Sequence, residues 1–122
     1  MRIVKLAMHL AVISAVFALA EETAAEAKKW RSHTFVVYSW SYVGQKMANG
    51  KILKADGATV ATYAYPLGAK IELDYRGKKL LCTVADRPPR KHGQRIEVPP
   101  LTWKRLTGTK TGKSTVKVRR VK

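Results

Sequence analysis

Residues 70–90, KIELDYRGKKLLCTVADRPPR, decide which class of fold this sequence can adopt. Polar and apolar residues alternate over Lys70–Tyr75, which predicts a strand with one buried face. Arg76-Gly77 supplies a turn, and the nearly continuous apolar segment Lys79–Ala85 predicts a returning strand that is buried on both faces. The run Asp86-Arg87-Pro88-Pro89 ends that strand. The stretch therefore predicts a β-hairpin inside a β structure.

The sequence on either side of the hairpin predicts more short strands and hardly any helix. The β-branched and aromatic segment Thr34–Trp40 predicts a strand. The one predicted helix begins at Pro99-Pro100 and ends at Gly108, with Trp103 and Leu106 as its buried pair. The remaining predicted strands are Ala58–Tyr63, Arg95–Val98 and Ser114–Val121. Together these elements predict an all-β fold, a small six-stranded closed barrel with one short helix.

The composition describes a folded and strongly basic protein. Of the 122 residues, 24 are Lys or Arg and 8 are Asp or Glu, so the formal charge is +16. A hydrophobic fraction of 46% excludes a disordered basic tail, and the single cysteine excludes an intramolecular disulfide scaffold. The apolar surroundings of Cys82 predict a buried core thiol rather than a catalytic nucleophile. The charge indicates a polyanionic partner, which leaves nucleic acid, anionic lipid and the anionic polymers of a cell envelope.

The first 27 residues resemble a secretory signal. Two basic residues precede an uncharged run over 6–20 that is short for a membrane span. Small-x-small cleavage triplets end at Ala20 and at Ala27, and the second gives a polar cleavage region of ordinary length. We therefore expect a signal peptide over 1–27 and one domain over 28–122, with a periplasmic or secreted location and no lipid anchor. Removal of 1–27 takes away two positive and three negative charges, so the charge rises from +16 to +17.

Five short motifs occur in a familiar order. They are Ser39-Trp40, Gly44-x-x-Met47-Ala48-Asn49-Gly50, Val60-Ala61-Thr62-x-x-Tyr65-Pro66-Leu67-Gly68, Val84-Ala85-Asp86-Arg87-x-Pro89 and Gly93-x-Arg95-Ile96-Glu97-Val98. In this order they resemble the double-psi β-barrel domain of the rare lipoprotein A (RlpA) family. The resemblance implies that barrel over residues 39–121. It also implies a lytic transglycosylase, an enzyme that cleaves peptidoglycan glycan without water.

This chain retains one functional residue of the family and has different residues at two other functional positions. The aspartate of the family's Asp-Arg motif falls on Asp86, which would act as the catalytic acid. The family's glutamate and histidine fall on Lys51 and Thr62, and neither replacement can do the acid-base work of the original residue. The two changes favour weak or lost catalysis.

The residues around Asp86 allow several roles. Asp86 could be the catalytic acid, a glycan-binding group or a carboxylate that holds the loop, with the Arg87 guanidinium beside it. For Glu97 we expect a bidentate pair with Arg95 inside the barrel. The predicted substrate-binding residues are Trp40, Lys51, Thr62, Tyr63, Tyr65 and Arg87, with Tyr42 as a further aromatic candidate. The cations of a possible basic rim are Lys46, Lys51, Arg87, Arg90, Lys91 and His92.

The sequence leaves two main functions open. One is an exported lytic transglycosylase that relies on Asp86 alone; the other is a noncatalytic, expansin-like barrel that binds cell-wall glycan. A secreted protein that binds other polyanions is a weaker third reading. We expect peptidoglycan strands as the partner, a monomer, no nucleic acid, no stable membrane anchor, no cofactor and no metal, since the histidines lack partners at metal-ligand spacing.

Overall fold

The computed structural model describes residues 28–122, and the predicted signal segment lies outside the described residues. Six strands form a closed barrel with the spatial order β1-β5-β2-β4-β3-β6. The strands are β1 Arg31–Val37, β2 Thr59–Ala61, β3 Lys70–Tyr75, β4 Lys78–Asp86, β5 Ile96–Val98 and β6 Lys113–Arg120. One α-helix, α1, covers Pro100–Thr107, and 3-10 turns cover Trp40–Tyr42 and Arg90–His92. The predicted six-stranded barrel with one helix is confirmed.

The central hairpin has the predicted turn. Tyr75 pairs with Lys78, so Arg76 and Gly77 form a two-residue loop, with φ of 50° and 88°. Positive φ at both positions matches the right-handed twist of the strands that the loop joins. The prediction that the returning strand is buried on both faces is wrong for its first half, because Leu81 is 55% exposed. An apolar run does not by itself fix which face of a strand meets the core.

The barrel contains two parallel strand pairs. β1 lies parallel to β5, and β2 lies parallel to β4, while the other pairs are antiparallel. In the β2–β4 pair the register shifts between Val60 and Ala61, so that Ala61 faces Asp86. On its other edge Ala61 pairs with Glu97 of β5. One short strand thus has an acidic residue on each of its two sides, Asp86 from β4 and Glu97 from β5.

The core is built from the inward side chains of the strands and sealed by α1. Phe35, Ile71, Leu73 and Val84 are fully buried, and Trp103 of the helix packs against Phe35 with ring centroids 4.7 Å apart. Trp103 and Leu106 are both buried, as predicted. Gly108 ends the helix with φ of 77°, a left-handed conformation that favours glycine.

The first strand begins and ends three residues earlier than predicted. It stops at Val37, and Trp40 lies in a 3-10 turn that is capped by Ser39, whose Oγ accepts from the amide of Ser41. The aromatic residues at 38–40 suit a strand, but the local side-chain bond from Ser39 favours a turn. Trp40 is consequently 59% exposed rather than packed in the sheet.

Cys82 is a core residue, as predicted. Its side chain is 2% exposed, and burial raises its pKa to about 12. At neutral pH the thiol is therefore protonated and unsuited to nucleophilic attack. Within residues 28–122, no helix has the length and apolar character that a membrane crossing requires.

Candidate functional site

Asp86 is the last residue of β4, and its carboxylate is enclosed by donors. Oδ2 accepts from the hydroxyl of Tyr38 at 2.7 Å. Oδ1 accepts from the backbone amides of Ala48 at 2.8 Å and Arg87 at 2.9 Å. The first two bonds tie β4 to the segment after β1 and to the loop at 47–51. These contacts match the loop-holding role among the alternatives for Asp86.

The Arg87 guanidinium contacts the segment at 62–65. It donates to the backbone carbonyls of Thr62 and Tyr65, the latter at 2.7 Å, and it lies 5.1 Å from the centre of the Tyr63 ring. Both hydrogen bonds come from Nη1, which carries two hydrogens, and the flat face of the guanidinium suits stacking on a ring. Arg87 therefore fixes the path of the segment at 62–65 and holds Tyr63 in place.

Glu97 is a second carboxylate near Asp86. It is 8% exposed and accepts from Arg95 Nη2 at 3.0 Å, a single contact rather than the predicted bidentate pair. Burial raises the pKa of Glu97, Arg95 opposes that shift, and Asp86 adds to it. Burial and the Asp86 carboxylate also raise the pKa of Tyr38. Tyr38, Asp86, Glu97 and Arg95 thus form one polar cluster at the barrel wall, which we call the carboxylate cluster.

Thr62 lies directly beside Asp86, as the resemblance implies, but it faces inward. Its amide donates to the Asp86 carbonyl at 3.1 Å. Its side chain is fully buried, and Oγ1 accepts from the amide of Ala64 at 3.0 Å and donates to the carbonyl of Gly93 at 3.4 Å. A histidine at this position would have to displace packed neighbours, at a cost of about 1–3 kcal/mol. In this conformation Thr62 supports the loop and does not reach solvent.

A broad basic cleft opens beside Tyr63. It has a volume of about 800 Å³ and is lined by Thr34, Tyr63, Arg90, Lys91, His92, Gly93, Gln94, Arg95 and Lys113. We call it the arginine cleft. Slight desolvation and the charges of Arg95, Lys91 and Lys113 lower the pKa of His92, which places these cations around one imidazole. The predicted basic rim includes residues 90–92 but lacks Arg95 and Lys113, because Arg95 lies just before β5, Lys113 begins β6, and only the folded barrel brings them beside 90–92.

A second cleft is lined by residues on either side of Ala48, whose amide donates to Asp86. It has a volume of about 470 Å³ and is lined by Met47, Asn49, Lys51, Ile52, Lys54, Gly57, Ala58, Thr59, Lys70 and Thr83. We call it the lysine cleft. The predicted residue Lys51 lies here, whereas the predicted residue Tyr63 lies in the arginine cleft.

Within residues 28–122, the other predicted aromatic residues do not line the arginine cleft. Tyr65 is 8% exposed, packs in the core and places its hydroxyl 3.3 Å from His33 Nε2. Trp40 borders a small cavity of about 210 Å³ with Pro100, Leu101, Lys104 and Lys110. Tyr42 is 53% exposed, and its ring stacks edge to face with Tyr38. Arg87 contacts Thr62, Tyr63 and Tyr65, whereas Trp40 and Lys51 line other cavities, so glycan contact by the whole predicted set stays a prediction.

In the part of the chain that the structure describes, no three His, Cys, Asp or Glu side chains are grouped as metal ligands would be. The two carboxylates of the carboxylate cluster already hold hydrogen-bond donors.

Comparisons with known proteins support the barrel. The chain matches no protein-family model and no curated protein. Among solved structures it is similar to a Streptomyces papain inhibitor, with a TM-score of 0.59 and 16% identity over 77% of this chain and 96% of that one. It is also similar to two designed double-psi β-barrel proteins, one computational (TM-score 0.52, 14% identity) and one rational (TM-score 0.51, 17% identity). Each match covers 76% of this chain and all of the designed one. The chain therefore has a double-psi β-barrel fold.

Replacing Arg95 is expected to make stability fall as the pH rises. In Arg95→Met the buried Glu97 loses the cation that opposes the rise of its pKa. A carboxyl with a higher pKa in the folded state stabilises the fold below its unfolded pKa, and that stabilisation is lost as the pH rises through the folded-state pKa. We expect a loss of about 1.4 kcal/mol per pH unit between the two pKa values, measured by urea unfolding at pH 4–7. The double variant Arg95→Met, Glu97→Gln should lack this slope, and equal slopes in the two variants would contradict the assignment.

Proposed function

We propose that this protein is an exported barrel that binds the anionic glycan of the cell wall without cleaving it. The observation that carries the proposal is the arginine cleft. Four permanent cations, Arg90, Lys91, Arg95 and Lys113, line it, and none of its described lining residues is acidic. Such a surface attracts carboxylates, which peptidoglycan bears on its lactyl and peptide groups, and the Tyr63 ring offers a flat face for a sugar.

The carboxylate cluster weighs against the lytic transglycosylase alternative. A general acid must present a proton to the departing glycosidic oxygen. Both oxygens of Asp86 instead accept from donors of the protein itself, which are the Tyr38 hydroxyl and two backbone amides. Lys51 and the buried Thr62 supply no acid-base partner beside it.

The signal-like segment supports the choice of a wall polymer over nucleic acid. Residues 1–27 predict export, and an exported protein of charge +17 meets the anionic polymers of the envelope first. The similarity to a papain inhibitor, at 16% identity, supports the fold alone, and we do not extend that protein's activity to this chain.

The test is co-sedimentation of the purified protein with sacculi, followed by analysis of the soluble products. We expect binding at 0.1 M salt that weakens at least about tenfold at 1 M, because the screening length falls from about 10 Å to about 3 Å. Sacculi whose carboxyls have been converted to amides should bind poorly at both salt concentrations. Release of anhydro-sugar products should stay at the level of buffer alone. Rapid anhydro-sugar release, or binding that ignores both salt and amidation, would overturn the proposal.

A further inference from the structure

We infer that the arginine cleft and the lysine cleft are two subsites for one strand of a polymer with repeated negative charges. This inference rests on the proposed function and specifies its ligand class. It predicts that a single anionic group binds weakly in either cleft, while a strand that reaches both binds much more tightly.

The lysine cleft has the chemistry of an anion subsite in its own right. Lys51, Lys54 and Lys70 line it together with the amide of Asn49 and the hydroxyl of Thr83, and no acidic residue is among its described lining residues. The ammonium of Lys70 donates to Thr83 Oγ1 at 2.6 Å, which fixes that cation at the wall. The two salt bridges found within residues 28–122 involve Arg95 and Arg119 and none of these lysines. Their charges are therefore not offset by a carboxylate in contact.

Ile52 adds an apolar surface to the same cleft, with 48% of its side chain exposed. A sugar polymer has apolar faces between its charged groups, so a wall that combines lysines with an exposed aliphatic side chain suits it better than it suits a bare inorganic anion.

Asp86 links the two clefts structurally. On one side its carboxylate holds Ala48, and the neighbouring residues Met47 and Asn49 line the lysine cleft. On the other side its carbonyl holds the amide of Thr62, whose neighbour Tyr63 lines the arginine cleft.

The backbone sets an upper limit on the distance between a residue that lines the lysine cleft and one that lines the arginine cleft. Thr59 at the start of β2 lines the lysine cleft and Tyr63 lines the arginine cleft. Four residue steps separate them, which is at most about 14 Å of extended chain. A short oligomer can span that distance.

When one strand binds at both subsites, its affinity rises well above its affinity for either cleft alone. Once one cleft holds part of the strand, the second cleft meets the next charged group at a high effective concentration. The resulting affinity can exceed that of either cleft by about 10²- to 10⁴-fold with no new kind of contact. The carboxylates of a glycan and the phosphates of a phosphodiester polymer share this chemistry.

The experiment measures affinity against ligand length with the full secreted protein at 0.1 M salt. One arm uses oligogalacturonates from the dimer to the dodecamer, which carry one carboxylate per sugar, and the other uses inorganic polyphosphate of matched charge number. In the wild-type protein we expect a step of at least about 100-fold once the oligomer reaches both clefts. A step in the first arm alone indicates a carboxylate polymer, a step in the second alone indicates a phosphate polymer, and steps in both indicate recognition of charge spacing.

Two double variants distinguish binding at two subsites from attraction of the ligand to the overall positive charge. Lys51→Gln, Lys54→Gln should remove the step, while the dimer keeps the part of its affinity that comes from the arginine cleft. The matched control Lys78→Gln, Lys117→Gln removes the same charge from exposed positions outside both clefts and should keep the step. A smooth rise of affinity with length in the wild type, or equal losses in the two variants, would overturn the inference.

The outcomes distinguish this inference from the proposed function. A length step without binding to sacculi would refute the wall-glycan proposal and leave the two subsites standing. Binding to sacculi without a length step would refute the two subsites and leave the proposed function standing.

Discussion

Asp86→Ala is expected to lower the free energy of unfolding by about 3 kcal/mol, whereas Asp86→Asn is expected to cost about 1 kcal/mol. The alanine leaves the mostly buried Tyr38 hydroxyl and the amides of Ala48 and Arg87 without their acceptor. An asparagine can keep all three contacts, because its Oδ1 accepts from the amides and its Nδ2 donates to the tyrosine oxygen. Urea unfolding at pH 7 measures both changes.

The same pair of variants separates a structural role from a catalytic one. If Asp86 holds the loop, Asp86→Asn should bind sacculi as the wild type does, and neither protein should release anhydro-sugars. Tyr38→Phe is the matched control, since it removes one of the three donors and should cost between about 0.5 and 2 kcal/mol. An Asp86→Ala protein as stable as the wild type, or anhydro-sugar release that Asp86→Asn abolishes, would contradict the structural role.

The triple variant Arg90→Gln, Lys91→Gln, Lys113→Gln is expected to lower affinity for sacculi by about 100-fold at 0.1 M salt. Each exposed ionic contact contributes up to about 1 kcal/mol, and three such contacts approach 3 kcal/mol. His92 gives an independent readout inside the cleft. Because Lys91 and Lys113 lower the pKa of His92, their removal should raise it, which an NMR titration of the imidazole protons measures.

A charge-matched variant shows whether the arginine cleft or the total charge is responsible. Lys78→Gln, Lys117→Gln, Lys122→Gln removes three exposed positive charges from positions that line neither cleft. It should lose less than about fivefold in affinity and leave the pKa of His92 unchanged. Equal losses in the two triple variants would mean that glycan binding follows net charge and that the arginine cleft has no special part in it.

The barrel was predictable because local signals and long-range structure agree along most of the chain. The alternation over Lys70–Tyr75 needs a half-buried strand, and Arg76-Gly77 allows the two positive φ angles of the turn. Pro100 and Gly108 bound the helix for reasons that lie within the chain itself. Where a local side-chain bond competed with the pattern, as at Ser39, the predicted strand ended too late.

The candidate site was predictable only in part. The family resemblance implied that Asp86 and Thr62 lie close together, and the structure joins them through one backbone hydrogen bond. Which way each side chain points could not be predicted, because a residue in a strand faces one side or the other according to register. The register shift at Val60 and Ala61 is a property of the β2–β4 pair and leaves no mark on either strand alone.

What the sequence alone determined is the β-barrel, its turns, the buried thiol and the large positive charge, since each of these depends on residue type and local spacing. Only the tertiary structure decided where that charge is concentrated. It brought Arg90, Arg95 and Lys113 to one cleft and Lys51, Lys54 and Lys70 to another. The reason is physical: a closed barrel places strands beside one another that are far apart in the chain, so its clefts are lined by residues whose proximity the order of the sequence does not show.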